Sequence, residues 1–512
     1  MSRAEKALTG GGVFILQMGI RMITPFIVSP LLVRNTGAEA LGAYAVIVQL
    51  SAYVLMLDLG MGQALSRFIA QSDVTRDSEK VSDYIVGSVF FLTAAGLFAG
   101  LIIGILSWTL PYWLEGSPSI ISESSNALIL MGLWYVFRIP SAIFQTYLFA
   151  RQFTAITGIA SIISDIISCL LQISLTLFGL GILGLVSAII VSEAFAIGFC
   201  AWYVLPEWKR LKWTLKWHRS RVRELFRVGI PLSLISLADR LTFSSQNIIV
   251  GFLYDTRIVA SFYASRLPGY SAAGILWRVS DPVVPALNEL YGKKLYTALE
   301  HGFTRIAGYK LGLSIWVSCM VFLFNKPFIE TWMGVDFYLG SLMSLAVALF
   351  VPISSFNNIL RKLVIVQGRL GFYTLIILVE GILSVTLSVL LGRSWGSPGV
   401  MIAICITQFV SITYSYLKIG KLFKGSLLKM TFAILHVSFK AAFVGVAVCL
   451  IYLVIYPYTK FLPWFIWLSL LTIIALYGFI IFGLTTEDYT SITNLIKKML
   501  HKKSMIFSND NP

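Results

Sequence analysis

Seven basic residues (Arg21, Arg138, Arg240, Arg266, Arg278, Lys310 and Lys440) and six acidic ones (Asp58, Asp165, Glu193, Asp239, Asp281 and Glu380) fall inside stretches that are otherwise apolar. Residues of these types could do two kinds of chemistry. A guanidinium presents a planar fork of donors that meets a phosphate or pyrophosphate in bidentate fashion. A carboxylate kept from bulk water can take up and release a coupling proton or cation. The cations set the expectation for the cargo: a cationic drug would call for carboxylates, whereas a cationic chamber suits an anion. The candidate substrate-binding residues are Arg21, Arg240, Arg266, Arg138, Arg278 and Lys310. The candidate ion-coupling residues are Asp58, Asp165, Asp239 and Glu380, serving H+ or Na+. No cofactor and no metal site is expected, and no residue is assigned a catalytic role.

The elements that must carry these side chains follow from composition. Of the 512 residues, 57% are hydrophobic and 12% charged, and the mean hydropathy is +0.82. Ordinary soluble chains carry about 25% charged residues. Apolar runs of the length needed to cross about 30 Å of hydrocarbon recur from end to end. Spans are expected near 9–33, 41–66, 84–109, 120–149, 153–178, 182–204, 226–253, 258–285, 303–324, 337–359, 372–391, 397–417, 434–456 and 463–484. The first is too long and too well flanked for a cleavable signal peptide, so it is expected to be a retained anchor. With the N-terminus placed in the cytoplasm, 28 of the forty Lys and Arg fall in cytoplasmic segments and five in outer loops. That satisfies the positive-inside rule with both termini cytoplasmic.

The net charge of +16 therefore reflects topology, and no nucleic acid is expected as a partner. The segment PEWKRLKWTLKWHRSRVRELFR, residues 206–227, interleaves Trp208, Trp213 and Trp217 with basic residues. Such a segment suits the inner headgroup layer, with tryptophan at the interface and cations over anionic lipid. The five cysteines all fall inside expected spans, without metal-ligand spacing, so a disulfide framework is not expected. The run Gly10 to Gly12 follows no strand and carries no nucleotide-binding expectation. The longest outer loops, near 110–119 and 325–336, hold no His, no Cys and no recognisable catalytic pair. An enzyme is not expected.

An internal repeat organises the chain. Arg21 to Tyr44 is 23 residues, and so is Arg240 to Tyr263, each interval crossing an apolar span, a short polar turn and the start of a new helix. Further on, LDLGMGQAL (57–65) and VSDPVVPAL (279–287) place Asp58 and Asp281 ahead of an Ala-Leu pair. Repeats that enter the membrane the same way are related by an axis along its normal, and transporters built so bind substrate near mid-membrane. The expected fold is an all-α polytopic membrane protein of about fourteen transmembrane helices. Two six-helix bundles related by a pseudo-two-fold axis are followed by two C-terminal helices. Expected boundaries are 1–205 for the first bundle, 206–227 for the basic linker, 228–420 for the second bundle and 421–512 for the two extra helices and basic tail.

Within ILQMGIRMITPFIVSPLLV, residues 15–33, Arg21 lies roughly 18 Å by helical rise from either end of its span, too far to reach the surface readily. An arginine at such depth costs about 2.5–3.5 kcal/mol on insertion scales, so it is expected to face a cavity or a partner. Structural pairing competes with function at several sites. Arg278 and Asp281 could pair at i,i+3; Asp239 could serve Arg240 or Arg21; Asp58 could pair with Arg67 or cap a helix. Gln17, Arg21 and Thr24 share one helical face, as do Ser233, Ser236 and Arg240. The stripe Ser161, Asp165, Ser168 and Gln172 fits equally a cavity wall or helix-to-helix glue. Pro25, Pro30 and Pro140 are expected to loosen their helices.

The first helix, followed by NTGAEALGAYAVIVQL and LDLGMGQALSRFIAQ, resembles the bacterial polysaccharide transporters. These are the O-antigen flippases (Wzx type) of the multidrug, oligosaccharidyl-lipid and polysaccharide exporter superfamily. The likeness is strongest over 10–80 and persists as helix count and halves to about 420. It implies a V-shaped pair of six-helix bundles that moves an undecaprenyl-pyrophosphate-linked oligosaccharide from the inner to the outer leaflet of the bacterial inner membrane. Polysaccharide polymerase and chain-length machinery would be partners alongside the lipid-linked substrate and membrane lipids. Related lipid II flippases use arginines in the first helix and central cavity, which matches Arg21 by location and Arg240 and Arg266 more loosely. Drug-exporting relatives carry an acid in the first helix, and this chain has none there. A proton- or sodium-coupled multidrug antiporter and a lipid II flippase are the alternatives.

Overall fold

The computed structural model describes residues 3–74, 78–209, 219–368, 371–423, 427–455 and 463–478. It is 93% helix, with no strand among the described residues. Helix is what hydrocarbon demands of this sequence, because each backbone N–H and C=O must find a partner where water is absent. In chain order the helices are α1 (Arg3–Thr36), α2 (Ala38–Val54), α3 (Met61–Val74), α4 (Ser78–Thr109), α5 (Pro118–Ala150), α6 (Thr154–Leu177), α7 (Gly181–Trp208), α8 (Arg219–Phe243) and α9 (Gln246–Leu253). They continue as α10 (Thr256–Val279), α11 (Val284–Gly292), α12 (Tyr296–Trp332), α13 (Gly340–Val366), α14 (Gly371–Trp395), α15 (Ser397–Phe423), α16 (Leu427–Ile455) and α17 (Trp464–Gly478).

Ten spans among the described residues are long and apolar enough to cross a membrane, and the chain is a multi-pass membrane protein. The other four expected spans correspond to α1, to α8 with α9, to α10 and to α17. The first three carry several charges, and α17 runs for 15 described residues. Three expected spans that read as continuous are interrupted. The second breaks after α2 into a 3-10 turn, Leu55–Asp58, then passes through Leu59 at φ 45° and Gly60 at φ 69° before α3. The eighth ends at Val279 and turns through a 3-10 segment, Asp281–Val283, before α11. The seventh stops at Phe243 and resumes as α9 at Gln246. The first two breaks fall at the two Asp motifs paired by the sequence repeat. Apolar residues continue on both sides of the break at 55–60, whereas Ser280-Asp281-Pro282 and Ser244-Ser245-Gln246 are polar runs that the expected spans passed over. The three prolines do not end their helices: α1 runs through Pro25 and Pro30, and α5 through Pro140.

In the basic segment, 206–208 finish α7 and 219–227 open α8, while 210–218, with Trp213 and Trp217, lie outside the described residues. Trp208 packs on α5, its ring 5.2 Å from Phe144 and 5.8 Å from Tyr147 between centroids. The basic C-terminal tail also lies outside the described residues.

Two compact units emerge. The first comprises Met1–Arg266, Ile329–Leu339 and Gly371–Thr407. Within it α4 packs along α5, α1 along α6, and α14 along α8. The start of α10 is tied to that of α2 by Arg257 Nε donating to Glu39 Oε1 at 2.9 Å. The second comprises Leu267–Phe328, Gly340–Leu370 and Gln408–Pro512. Its apolar cluster joins Trp316, Met320 and Phe324 of α12 to Cys449 and Tyr452 of α16 and Leu471 and Ala475 of α17. The five cysteines are free thiols.

Helix α16 sits against α12 through glycines. A Cβ on Gly312 would lie 2.5 Å from Ala441 Cβ and 2.6 Å from Ser438 O, and one on Gly445 would lie 2.3 Å from Trp316 Cδ1. Small residues at such contacts let backbones approach, and dispersion supplies the attraction that hydrophobicity cannot supply inside lipid. Gly312→Val is expected to cost about 1–3 kcal/mol by overpacking and to lower the thermal midpoint of the purified protein. Gly302 of the same helix has nothing within 4 Å of a built Cβ. Gly302→Ala should therefore leave the midpoint unchanged or raise it through helix propensity, by about 0.5–1 kcal/mol.

Candidate functional site

The break after α2 positions the first group of functional side chains. Asp58 Oδ1 accepts a hydrogen bond from Gly60 N at 3.0 Å, which shapes the turn and sets the carboxylate at its edge. A Cβ on Gly60 would lie 2.5 Å from Gly229 O, and one on Gly229 would lie 2.7 Å from Leu59 O. Glycine on both sides thus brings the turn and α8 into backbone contact. From there α8 carries Ser233, Ser236 and Arg240 on one face, as the spacing predicted. Tyr53 donates through its hydroxyl to Arg240 O at 2.9 Å, which helps hold the end of α8.

These residues wall a cavity of about 260 Å³ together with Gln63 of α3 and Arg138 of α5. Its ionisable lining is two guanidiniums and one carboxylate: Arg138, Arg240 and Asp58. Asp58 was foreseen to pair with Arg67 or to cap a helix; the bond it makes is instead the turn bond to Gly60 N, one residue before α3 begins. Arg138 is oriented from outside the cavity, its Nε donating to Glu193 Oε2 at 3.2 Å. Trp134 Nε1, one helical turn earlier, donates to the same oxygen at 2.8 Å. Glu193 of α7, foreseen only as one of six buried acids, is therefore the group that aims Arg138.

Arg21 meets a different partner from those foreseen. Its Nε lies 3.1 and 2.9 Å from the two carboxylate oxygens of Asp165 on α6, so the partner is Asp165 and not Asp239. The pair engages Nε alone, and the Arg21 side chain keeps 64% of its surface exposed, which leaves its terminal nitrogens open to other acceptors. Within the α6 stripe Ser161 Oγ donates to Thr157 O of its own helix at 2.8 Å, and Gln172, whose Nε2 donates to Ser168 Oγ at 2.8 Å, faces a cavity. Ser164, outside the stripe, donates to Ser192 O on α7 at 2.7 Å and acts as glue. Asp239 is half-buried on α8, and Glu380 is fully buried on α14.

Arg266 belongs to a second cavity of the first unit, about 280 Å³, bordered by α1, α2, α6, α7, α9 and α10. Its Nη1 donates to Gln246 Oε1 at 3.1 Å. Tyr44 and Tyr263, the repeat-related tyrosines, both line this one space with Gln49, Gln172 and Asn247. The second unit holds Arg278 and Lys310. Arg278 reaches Asp281 at 3.6 Å, the i,i+3 pair foreseen, but Lys362 of α13 also holds that carboxylate, at 2.7 Å. Lys310 is buried and donates to Ser280 Oγ at 2.9 Å and Asn358 Oδ1 at 2.7 Å. The six cations thus fall into separate settings: Arg138 with Arg240, Arg21 with Asp165, Arg266 among amides and tyrosines, and Arg278 with Lys310 in the second unit.

Lys362 was not foreseen because the tenth span was expected to end at 359, and Asn358, inside that span, is uncharged and does not stand out from it. The signal available was their i,i+4 spacing on an extended α13. Among the described residues no group of His, Cys, Asp and Glu is arranged to hold a metal ion.

A family model described as polysaccharide biosynthesis protein matches residues 7–277, more than half of the chain. The chain belongs to this family. No curated protein matches it. Among solved structures it is similar to the lipid II flippase MurJ in an inward closed conformation, with TM-score 0.69 and 12% identity, covering 93% of this chain and 98% of that one. It is also similar to an inward-facing multidrug resistance MATE transporter of the MOP superfamily, with TM-score 0.62 and 16% identity, covering 80% and 99%. A Vibrio cholerae MATE transporter follows at TM-score 0.57 and 15% identity, covering 83% and 99%. The chain has the fold of these MATE transporters and of the MurJ flippase.

Pairing of Arg138 with Glu193 is expected to be measurable. A double-mutant cycle on Arg138→Ala and Glu193→Ala, read by thermal or denaturant unfolding, should give a coupling of about 0.6–1.7 kcal/mol, the range seen for polar contacts between membrane helices. Additive effects of the two substitutions would go against the assignment of Glu193 as the group that orients Arg138.

Proposed function

We propose that this protein is a flippase that carries an undecaprenyl-pyrophosphate-linked oligosaccharide, an O-antigen or similar surface repeat unit, from the inner to the outer leaflet of the bacterial inner membrane. The observation that carries this reading is the placement of Arg138 and Arg240 on the wall of one cavity with a single carboxylate, Asp58. Two guanidiniums offer a pyrophosphate several charge-assisted hydrogen bonds. At about 260 Å³ the space falls just below the roughly 300–1,000 Å³ of pockets that enclose a whole drug-sized ligand. It suits a headgroup whose lipid tail remains in the bilayer.

Arg21 adds a third guanidinium, held through one nitrogen and open at the others. The Arg266 cavity, with amides and tyrosine hydroxyls in its wall, suits sugar hydroxyls. Alternating access would expose these groups to the two leaflets in turn. Membership of the polysaccharide biosynthesis family and a fold shared with a lipid II flippase support the same reading. The one-sided distribution of Lys and Arg supports a cytoplasmic position for both termini. Polymerase and chain-length proteins are the partners to which the exported unit would pass.

Arg21→Ala combined with Arg240→Ala is expected to abolish surface display of the glycan while protein abundance stays within about twofold, the window in which folding defects are minor. Arg240→Lys should retain partial export, because charge survives although the fork does not. Glycan labelling of intact cells, with immunoblotting of the membrane fraction, checks both. Normal display by the double variant would refute the site. Drug sensitivity rising on deletion while surface glycan stays unchanged would favour the multidrug antiporter, and arrest of cell-wall synthesis would favour a lipid II flippase.

A further inference from the structure

A hydrogen-bonded path runs into the second unit from a half-exposed carboxylate to a buried amine. Asp281, in the turn between α10 and α11, keeps 45% of its side-chain surface exposed, and Lys362 keeps 14%. Lys310 of α12 is 3% exposed, and Ser280 beside it 1%. Lys362 Nζ donates to Asp281 Oδ1 at 2.7 Å, to Ser280 Oγ at 2.7 Å and to Trp277 O at 2.8 Å. Lys310 Nζ donates to the same Ser280 Oγ at 2.9 Å and to Asn358 Oδ1 at 2.7 Å.

The two lysines differ in a way their donors can report. Lys362 has three acceptors, which match the three N–H groups of an ammonium. Lys310 has two, which match a neutral amine, and among the described residues no third acceptor is bonded to it. Buried polar groups are ordinarily satisfied, and a second ammonium sharing one serine oxygen with the first would meet it at short range in a low-dielectric setting. The charged groups that act on Lys310 are Lys362 from α13 and Asp281 from the turn after α10, and Arg278 at the end of α10 acts in turn on Lys362 and Asp281. Helix α16, which packs on α12 at Gly308 and Gly312, leaves His436 and Lys440 exposed. One carboxylate therefore stands against two lysines and an arginine.

The geometry points to Lys310 as the site at which the transport cycle binds and releases a proton, reached from solvent through Asp281, Lys362 and Ser280. The relay balances. The Ser280 hydroxyl, which rests on Trp277 O at 3.1 Å, turns to the Lys310 lone pair as the amine rotates its N–H away from Ser280 Oγ. Lys362 then gives a proton to Ser280 Oγ while the serine passes its own to Lys310, and Lys362 recovers a proton from solvent through Asp281. The net change is one proton gained at Lys310, with Asp281, Lys362 and Ser280 restored. Protonation would then favour whichever conformation opens the third N–H to an acceptor. This moves the coupling role from the acids foreseen in the sequence to a lysine foreseen as a substrate ligand, and it rests on the reading of the chain as a transporter.

Two measurements test it, and the first needs no substrate. In the purified full-length protein held in lipid nanodiscs with isotope-labelled lysine, one side-chain resonance is expected to exchange between neutral and ammonium forms at a pH where the solvent-exposed lysines stay ammonium, its protonated-to-neutral ratio changing about tenfold per pH unit. That resonance should be absent from Lys310→Met or, if that variant fails to fold, from Lys310→Gln, and present in Arg240→Ala. A Lys310 resonance that stays ammonium-like into alkaline pH overturns the proposal. In cells, surface glycan display should vary with external pH in the wild type and become pH-independent in Lys310→Arg and Lys310→Gln. A wild-type pH profile in either variant also overturns it. Should the wild type export no glycan at all, the flippase reading fails, and the resonance alone still decides whether Lys310 exchanges a proton.

Discussion

A cation inside a membrane protein must be met by an acceptor, and in this molecule the acceptor usually comes from another helix. Asp165 of α6 meets Arg21 of α1, Glu193 of α7 meets Arg138 of α5, Glu39 of α2 meets Arg257 of α10, and Asp281 meets Lys362 of α13. Each pairing removes part of the cost of taking charge out of water and at the same time fixes which helices lie side by side. None is sealed. Arg21 and Arg138 each engage a carboxylate through a single guanidinium nitrogen, Nε, so the pairs hold the side chains in place without using up their donors. A structural ion pair and a ligand site are thus compatible in one arginine.

The second constraint is that backbone may leave the helix at membrane depth only where protein or a cavity receives it. The break at 55–60 obeys it: Asp58 bonds Gly60 N, Gly60 lies on Gly229, and the turn borders the Arg138 and Arg240 cavity. The break at 279–284 obeys it as well, with Ser280 buried and bonded by two lysines. In both, an aspartate stands at the turn and a cation-bearing helix stands opposite. The repeat seen in the sequence is therefore a repeat of helix interruptions as much as of helices. The chemistry has diverged between the copies, with arginines at one break and lysines at the other.

The sequence alone determined the class of molecule. Apolar runs of spanning length, the scarcity of charge and the one-sided distribution of Lys and Arg are consequences of hydrocarbon thickness and of insertion energetics, and these act locally along the chain. The same reasoning found the residues worth watching, because a charge inside an apolar run stands out without any knowledge of its neighbours. It also found the faces: Ser233, Ser236 and Arg240 share one because helical periodicity is local.

Tertiary structure decided who meets whom. Nothing within α1 marks Asp165 rather than Asp239 as the partner of Arg21, since 144 residues separate the pair and the choice depends on α1 packing along α6. Likewise Arg266 was grouped with the other arginines by charge, but the packing of six helices gives it a chamber of amides and tyrosines. Lys362 looked like a loop residue until α13 was seen to run on past 359. The fork between a cationic cavity and a chain of ion pairs could not be read from spacing, because both use the same residues. Distance through space, set by which helices pack together, separates the two.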